Sequence, residues 1–349
     1  MLLPFPPVRA GMRRAATAVN EEENGMNVAI IGCGGMGALH AQMAANCGHR
    51  IVLCADSVRK AAAALAEKFG AKVSSDPLKA VAAKGVDLVA IATPTPTHLA
   101  LIEAAAKAGK NIFCEKPFCL NVADCKKAIA AAEKANVKLF VGHVVRYFHE
   151  FEAMRAKAQS GEIGKAGWVK ISRGGIYPGA PGSWFRDYAQ SGGVTLDCMI
   201  HDLDWVRYTF GEPKRIFCQA LMRTKPVQVD YSQVTMRMKN GLIATVIGTW
   251  AQPSGFRVKA EICCSGGMIQ FDSADAPLSA QPRAVAAGPN MIVPMSPVEK
   301  SPYQSEWEEF TAWLDGTGTP RVTARDAMAA VAMAEAALKS AKTGQPVAL

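Results

Sequence analysis

No stretch of this sequence holds the ~18 consecutive apolar residues that a helix needs to cross a bilayer, so no membrane span is expected. No run of Lys and Arg exceeds two residues. The net charge of +9 is therefore read as scattered, solvated surface that helps draw in anions, not as a nucleic-acid stripe or tail. The ten cysteines include no Cys-x-x-Cys pair and outline no disulfide framework. Cys54, Cys114 and Cys218 sit in apolar, strand-like runs, where the thiol serves as a small buried hydrophobe, and a reducing cytoplasm fits them. Cys263 and Cys264 would point to opposite faces of a strand, which excludes a metal pair there. Arg13-Arg14 is followed by Glu21-Glu22-Glu23 and by no apolar segment, so an export signal is not expected. There is no internal repeat.

What is present is ordinary globular composition: half of the residues are apolar and 20% are charged. The 349 residues are about twice a typical ~150-residue domain, which suggests two domains. Residues 1–25, with Pro4, Pro6 and Pro7, are expected to form a disordered extension, and Met26 offers an alternative start. Over residues 26–147, short apolar strands alternate with helices of 10–15 residues, the pattern of a doubly wound parallel sheet covered on both faces. Residues 148–349 change character. A helix and a strand (Trp168–Ser172) precede a Gly/Pro-rich loop and a helix starting near Gly193, and long strands follow from Arg215 to Phe271. Asn240-Gly241 reads as a two-residue hairpin turn. Residues 274–300 are Pro/Ala-rich and irregular, and two helices, Gln304–Leu314 and Thr323–Lys342, close the chain. This half is expected to be an α+β domain around a large, open, mostly antiparallel sheet.

Gly32-Cys33-Gly34-Gly35-Met36-Gly37 follows the first strand and opens the first helix. Gly32 permits a tight turn, Gly34 lets a pyrophosphate approach the backbone, and Gly37 allows close helix–strand packing. The helix N-terminus adds free N–H groups and a positive dipole end. Asp56 ends the second strand 19 residues after Gly37, where an acid can accept bonds from the adenosine ribose and repel a 2′-phosphate. That points to NAD, with NADP as the alternative through Arg59 or Lys60. Thr93-Pro94-Thr95-Pro96-Thr97-His98 forms a polar loop at the carboxyl edge of the sheet, and Thr93, Pro94, Thr95 and His98 join the cofactor set. Cys114-Glu115-Lys116-Pro117 ends the fifth strand, with Glu115 and Lys116 beside the nicotinamide position. A lysine there can hydrogen-bond a reacting hydroxyl or shuttle its proton. Asp197 and His201, four apart on a helix, would share one face, and a histidine beside an acid is a usual general-base arrangement. No further ligand is spaced to make them a metal site. His40, His49, His143 and His149 are read as structural.

These motifs, in this order, resemble the Gfo/Idh/MocA family of nicotinamide-dependent oxidoreductases from about Asn27 to the C-terminus. The stretch Tyr303 to Phe310 and the closing Gly344-Gln345-Pro346-Val347 fit the same pattern. The resemblance implies a Rossmann domain plus an α/β domain whose open sheet makes an oligomer interface. It implies that Lys116, Asp197 and His201 are catalytic, with His201 as general base. Val145-Arg146 departs from the family's Arg-Arg or Asn-Arg. Arg146 is kept as a substrate or cofactor contact, and Trp184 and Arg186 lie in a stretch resembling a substrate loop. The expected reaction is NAD-dependent oxidation of a secondary hydroxyl of a cyclitol, sugar or sugar-derived polyol. The alternatives are an NAD-recycling glycosidase of the same fold and a non-catalytic ligand-sensing regulator. The strand Leu242–Trp250 is apolar on both faces, so a homo-oligomer, dimer or tetramer, is expected.

Overall fold

The computed structural model describes residues 25–178, 183–222, 230–274 and 300–349. β1 (Asn27–Ile31), β2 (Arg50–Ala55), β3 (Lys72–Ser74), β4 (Leu88–Ile91), β5 (Asn111–Glu115) and β6 (Leu139–Gly142) form a parallel sheet in the order β3-β2-β1-β4-β5-β6. β4 and β6 are buried along their whole length, as strands covered on both faces must be. The strand order reverses between β1 and β4, and that switch point opens a crevice at their carboxyl ends.

Helices Gly35–Asn46 and Arg59–Phe69 cover one face of this sheet, and His98–Lys107 and Val122–Ala135 cover the other. Helix Pro302–Leu314 packs on the first of these faces. Trp307 stacks on Phe113 at 4.8 Å between ring centroids, and Phe310 lies 5.1 Å from Phe140. The sequence division at residue 147 assigns this helix to the second unit, yet its apolar face completes the core of the first.

β7 (Ala166–Ile176), β8 (Pro213–Met222), β9 (Asp230–Met238), β10 (Ile243–Thr249), β11 (Ala251–Cys264), β12 (Gly267–Asp272) and β13 (Val347–Ala348) form the second sheet. Their order is β12-β11-β7-β10-β9-β8-β13, and only the β7–β10 pairing is parallel. The expected architecture, a Rossmann sheet followed by a mostly antiparallel one, is therefore the observed one. Helices Ile200–Phe210 and Ala324–Thr343 bury one face of the second sheet, including Val234, Met236, Ala244 and Val246. On the other face Ile243, Thr245, Ile247 and Thr249 are half-buried.

Three local expectations change. The β9–β10 loop has three residues, not two: Gly241 N–H bonds Met238 O and Met238 N–H bonds Leu242 O, with Gly241 at φ +91°. The helix expected from Gly193 is two segments, Gly193–Asp197 and Ile200–Phe210. Between them Met199 N–H reaches back five residues to Val194 O, which inserts an extra residue into the turn. The strand expected at Trp168–Ser172 runs over Ala166–Ile176. The expectation of a disordered extension at 1–25 falls, up to residue 24, outside the described residues, as does most of the irregular 274–300 segment. Among the described residues no helix is long and apolar enough to cross a membrane.

Burial holds the imidazoles of His49, His143 and His201 below their ordinary pKa of 6.5. The native state then refuses protons that the unfolded chain takes up below that value, so each group removes stability as pH falls through about 6.5. Glu306 acts in the opposite sense, because burial, then Glu115 and Glu309, push its carboxyl well above 4.5. Three groups against one leave the histidines dominant, at up to about 1.4 kcal/mol per pH unit for each. The melting temperature should fall by several degrees between pH 7.5 and pH 5.5. A flat or rising Tm over that range would mean the histidines are not held neutral.

Candidate active site

The glycine turn is built as a cradle. Gly32 has φ +89°, and a Cβ on it would lie 2.5 Å from Ala92 O at the end of β4. A Cβ on Gly37 would lie 1.8 Å from Gly32 O, so the helix can approach the turn only without one. A Cβ on Gly34 would meet open space, and Gly34 and Gly35 are exposed while Cys33 is buried. Among the described residues no side chain caps helix Gly35–Asn46 and no acid sits in its first turn, so the N–H groups near Gly35 and Met36 stay open to an anion. Asp56 closes the cradle. Its Oδ2 accepts Cys33 N–H at 2.8 Å and its Oδ1 accepts Val58 N–H at 2.7 Å. Each oxygen keeps a lone pair for a ribose hydroxyl. These residues fit a dinucleotide, whose pyrophosphate would lie on the turn and whose adenosine ribose would lie on Asp56.

At the carboxyl edge, Thr93 Oγ1 and Thr97 Oγ1 are hydrogen-bonded at 2.7 Å, and Thr97 Oγ1–H bonds Pro94 O. Thr93 and Pro94 are partly open, whereas Thr95 is buried. His98 does not face the crevice, which corrects its expected place in the cofactor set. It is fully buried, with Nε2 2.9 Å from Thr93 O and Nδ1 3.0 and 3.2 Å from Pro117 O and Phe118 O. It clamps the loop after β4 to the loop after β5. Glu115 is also turned inward. Its Oε1 meets His40 Nε2 and its Oε2 accepts Lys116 N–H, so it shapes the loop instead of contacting a cofactor.

Lys116 leaves the end of β5 and crosses to the second domain. Its Nζ donates to Asp197 O at 2.9 Å and to Oδ1 at 3.5 Å, and both side chains are four-fifths buried. Asp197 therefore serves Lys116. The expected Asp197–His201 pair on one helical face does not form, because the break at Met199 puts the two residues on separate segments. His201 is half-buried, and its Nδ1 is buried with no hydrogen-bond partner among the described residues. Burial, then the charges of Lys116, Arg173 and His143, hold its pKa well below 6.5. A neutral imidazole therefore stands close enough to Lys116 to feel its charge.

Arg146, expected to contact substrate, is fully buried. It forms a bidentate pair with Asp204 at 2.7 and 2.6 Å and donates to Arg321 O. Helix Tyr188–Ser191, which follows the Trp184–Arg186 turn, packs against the Thr95–Thr97 turn. Trp184 and Arg186 are half-exposed, and the Trp184 ring stacks on Phe185 at 4.1 Å, so this loop borders the cleft. Sequence reasoning missed Arg173, whose guanidinium on β7 forks onto Asp202 at 2.8 and 2.7 Å and fixes the helix that carries His201. The only hint was an acid on each side of Leu203. It also missed Trp307, which bonds His40 from 267 residues away. Among the described residues no cluster of His, Cys, Asp and Glu could hold a metal ion.

Comparison with known proteins places the chain in a family. Residues 26–143 match the model of the oxidoreductase family with an NAD-binding Rossmann fold, and residues 151–270 match the GFO/IDH/MocA C-terminal domain. The chain is 32% identical to the myo-inositol 2-dehydrogenase of Thermotoga maritima over 256 residues, 71% of this chain and 75% of that one. It is 31% identical to the inositol 2-dehydrogenase of Rhizobium meliloti over 326 residues, 89% of this chain and 95% of that one. A solved myo-inositol dehydrogenase from Corynebacterium glutamicum superposes with a TM-score of 0.75 at 27% identity, covering 93% of this chain and 99% of that one. With a dinucleotide cradle, a lysine at the end of β5 and both domain models matched, the chain belongs to the Gfo/Idh/MocA family of NAD-dependent oxidoreductases.

Proposed function

We propose that this protein oxidises a secondary hydroxyl of a cyclitol, sugar or sugar-derived polyol with NAD. The observation that carries the reading is the Lys116–Asp197 contact beside a neutral, partly open His201 at the carboxyl edge of the first sheet. The names of the curated relatives, inositol dehydrogenases, support the substrate class. A dinucleotide held by the glycine turn and Asp56 would supply the hydride acceptor for the carbinol carbon. His201 takes the hydroxyl proton, because its imidazole is neutral and has a free ring nitrogen. Lys116 donates to the carbinol oxygen and stabilises the charge that builds there. Asp197 holds the Lys116 ammonium at that position. The ten free cysteines support a cytoplasmic location.

A panel of polyols should include at least one with which NADH accumulates in solution. Lys116→Ala and His201→Ala should each lower turnover by roughly 10²-fold or more while leaving NAD affinity nearly intact. Wild-type turnover in either variant would remove that residue from the mechanism, and glycoside turnover without free NADH would favour the recycling alternative.

Asp56 should set cofactor choice. Its carboxylate is held in place by Cys33 and Val58 N–H, and it opposes the phosphate that distinguishes NADP. Titration of both dinucleotides should give tighter NAD binding. Tighter NADP binding would shift the role to the exposed Arg59 or Lys60.

We also propose that the open face of the second sheet joins copies of the chain. Its half-buried Ile243 and Ile247, with exposed Leu221, would be covered by a two-fold partner. Light scattering at micromolar concentration should report a dimer or tetramer, and a monomeric mass would defeat this.

A further inference from the structure

A buried chain of hydrogen bonds stands behind the catalytic loop. Trp307 Nε1–H donates to His40 Nδ1 at 2.9 Å. The indole N–H is only a donor, so His40 Nδ1 must accept, and the proton of the ring lies on Nε2. Nε2 is 2.6 Å from Glu115 Oε1, to which it donates. The other oxygen, Oε2, accepts the Lys116 backbone N–H at 2.9 Å. His40 and Trp307 are fully buried, and Glu115 is nearly so. The Phe113 ring lies against both partners, 4.7 Å from His40 and 4.8 Å from Trp307.

Three elements meet in this chain: the helix that opens at the glycine turn, the end of β5, and helix Pro302–Leu314. Burial alone would push the Glu115 carboxyl up, but the bond from His40, with the charge and N–H of Lys116, holds it below its ordinary value. An ionised Glu115 can accept from both sides at once. The backbone of Lys116 is thereby tied to the dinucleotide helix from beneath, while its amine is tied to Asp197 from the other domain.

We infer that His40, oriented by Trp307, is a positioning residue: through Glu115 it sets where the Lys116 amine stands relative to the helix that carries the dinucleotide phosphates. The inference rests on the dehydrogenase reading above. His40 touches no reacting atom, and its effect passes through the lysine. A displacement of about 1 Å at such a group costs on the order of 10²-fold in rate.

With a polyol that the wild-type protein oxidises, His40→Leu should lower kcat by about 10²-fold, with KM for NAD and for the polyol within about threefold. His40→Gln, whose amide still donates to Glu115, should recover at least a tenth of wild-type kcat. A loss confined to KM for NAD, or an unchanged kcat in His40→Leu, would overturn the inference. Where His40→Leu does not fold, Trp307→Phe carries the same expectation at about tenfold. Nuclear magnetic resonance supplies a readout that needs no substrate. His40 should show the Nε2–H tautomer, and the Lys116 amide proton should move upfield in His40→Leu or Trp307→Phe but stay in place in His40→Gln. A Nδ1–H tautomer, or a Lys116 amide unmoved in every variant, would refute the positioning role. If the wild-type protein oxidises no polyol, the dehydrogenase reading fails, and these spectra still decide whether His40 controls Lys116.

Discussion

Two buried guanidinium–carboxylate pairs hold the second half of the site in place. Arg173 reaches from β7 to Asp202, and Arg146 reaches from the turn after β6 to Asp204. Both acids lie on helix Ile200–Phe210, one on each side of Leu203. Separating either pair would strand an ion in the interior, at a cost of about 3–5 kcal/mol. The helix can therefore neither rotate nor slide, and His201 near its start is delivered to one place. Because one anchor comes from the second sheet and the other from the turn after β6, the helix also ties the two domains together.

The first half of the site is rigid for a different reason. Its groups hang from strand ends that are buried on both faces, and backbone and imidazole contacts lock the loops between them. His98 joins the loops after β4 and β5 through three carbonyls, and Glu115 joins the second loop to the first helix. The two halves then touch through Lys116 and Asp197. A cation from one domain and an acid from the other meet where a dinucleotide and a hydroxyl would both be within reach. Preorganisation of this kind spares the reaction the work of collecting its groups.

Much of this was legible in the chain. The alternation of strand and helix, the glycine turn and Asp56 all follow from local rules: burial on two faces, absence of a Cβ, and the period of each element. Lys116 stood out in the sequence because it follows a strand at the sheet's carboxyl edge, and the structure places it there. The pairing of Asp197 with His201 was misread because an i, i+4 spacing assumes an unbroken helix, and one five-residue hydrogen bond from Met199 to Val194 breaks it. His98 and Arg146 were assigned to ligands because polar residues beside a site look alike in sequence whether they face the cleft or the interior.

Local pattern therefore determined the two sheets, the dinucleotide cradle and the types of residue available for chemistry, because each depends on neighbours within a few turns of chain. Tertiary structure alone decided which polar group answers which. Asp197 serves Lys116 and not His201, Arg146 serves Asp204 and not a substrate, and Trp307 orients His40 across 267 residues. Burial is the reason: once water is excluded, every charge and every N–H must find a partner in space, and the chain carries no local mark of which partner that will be.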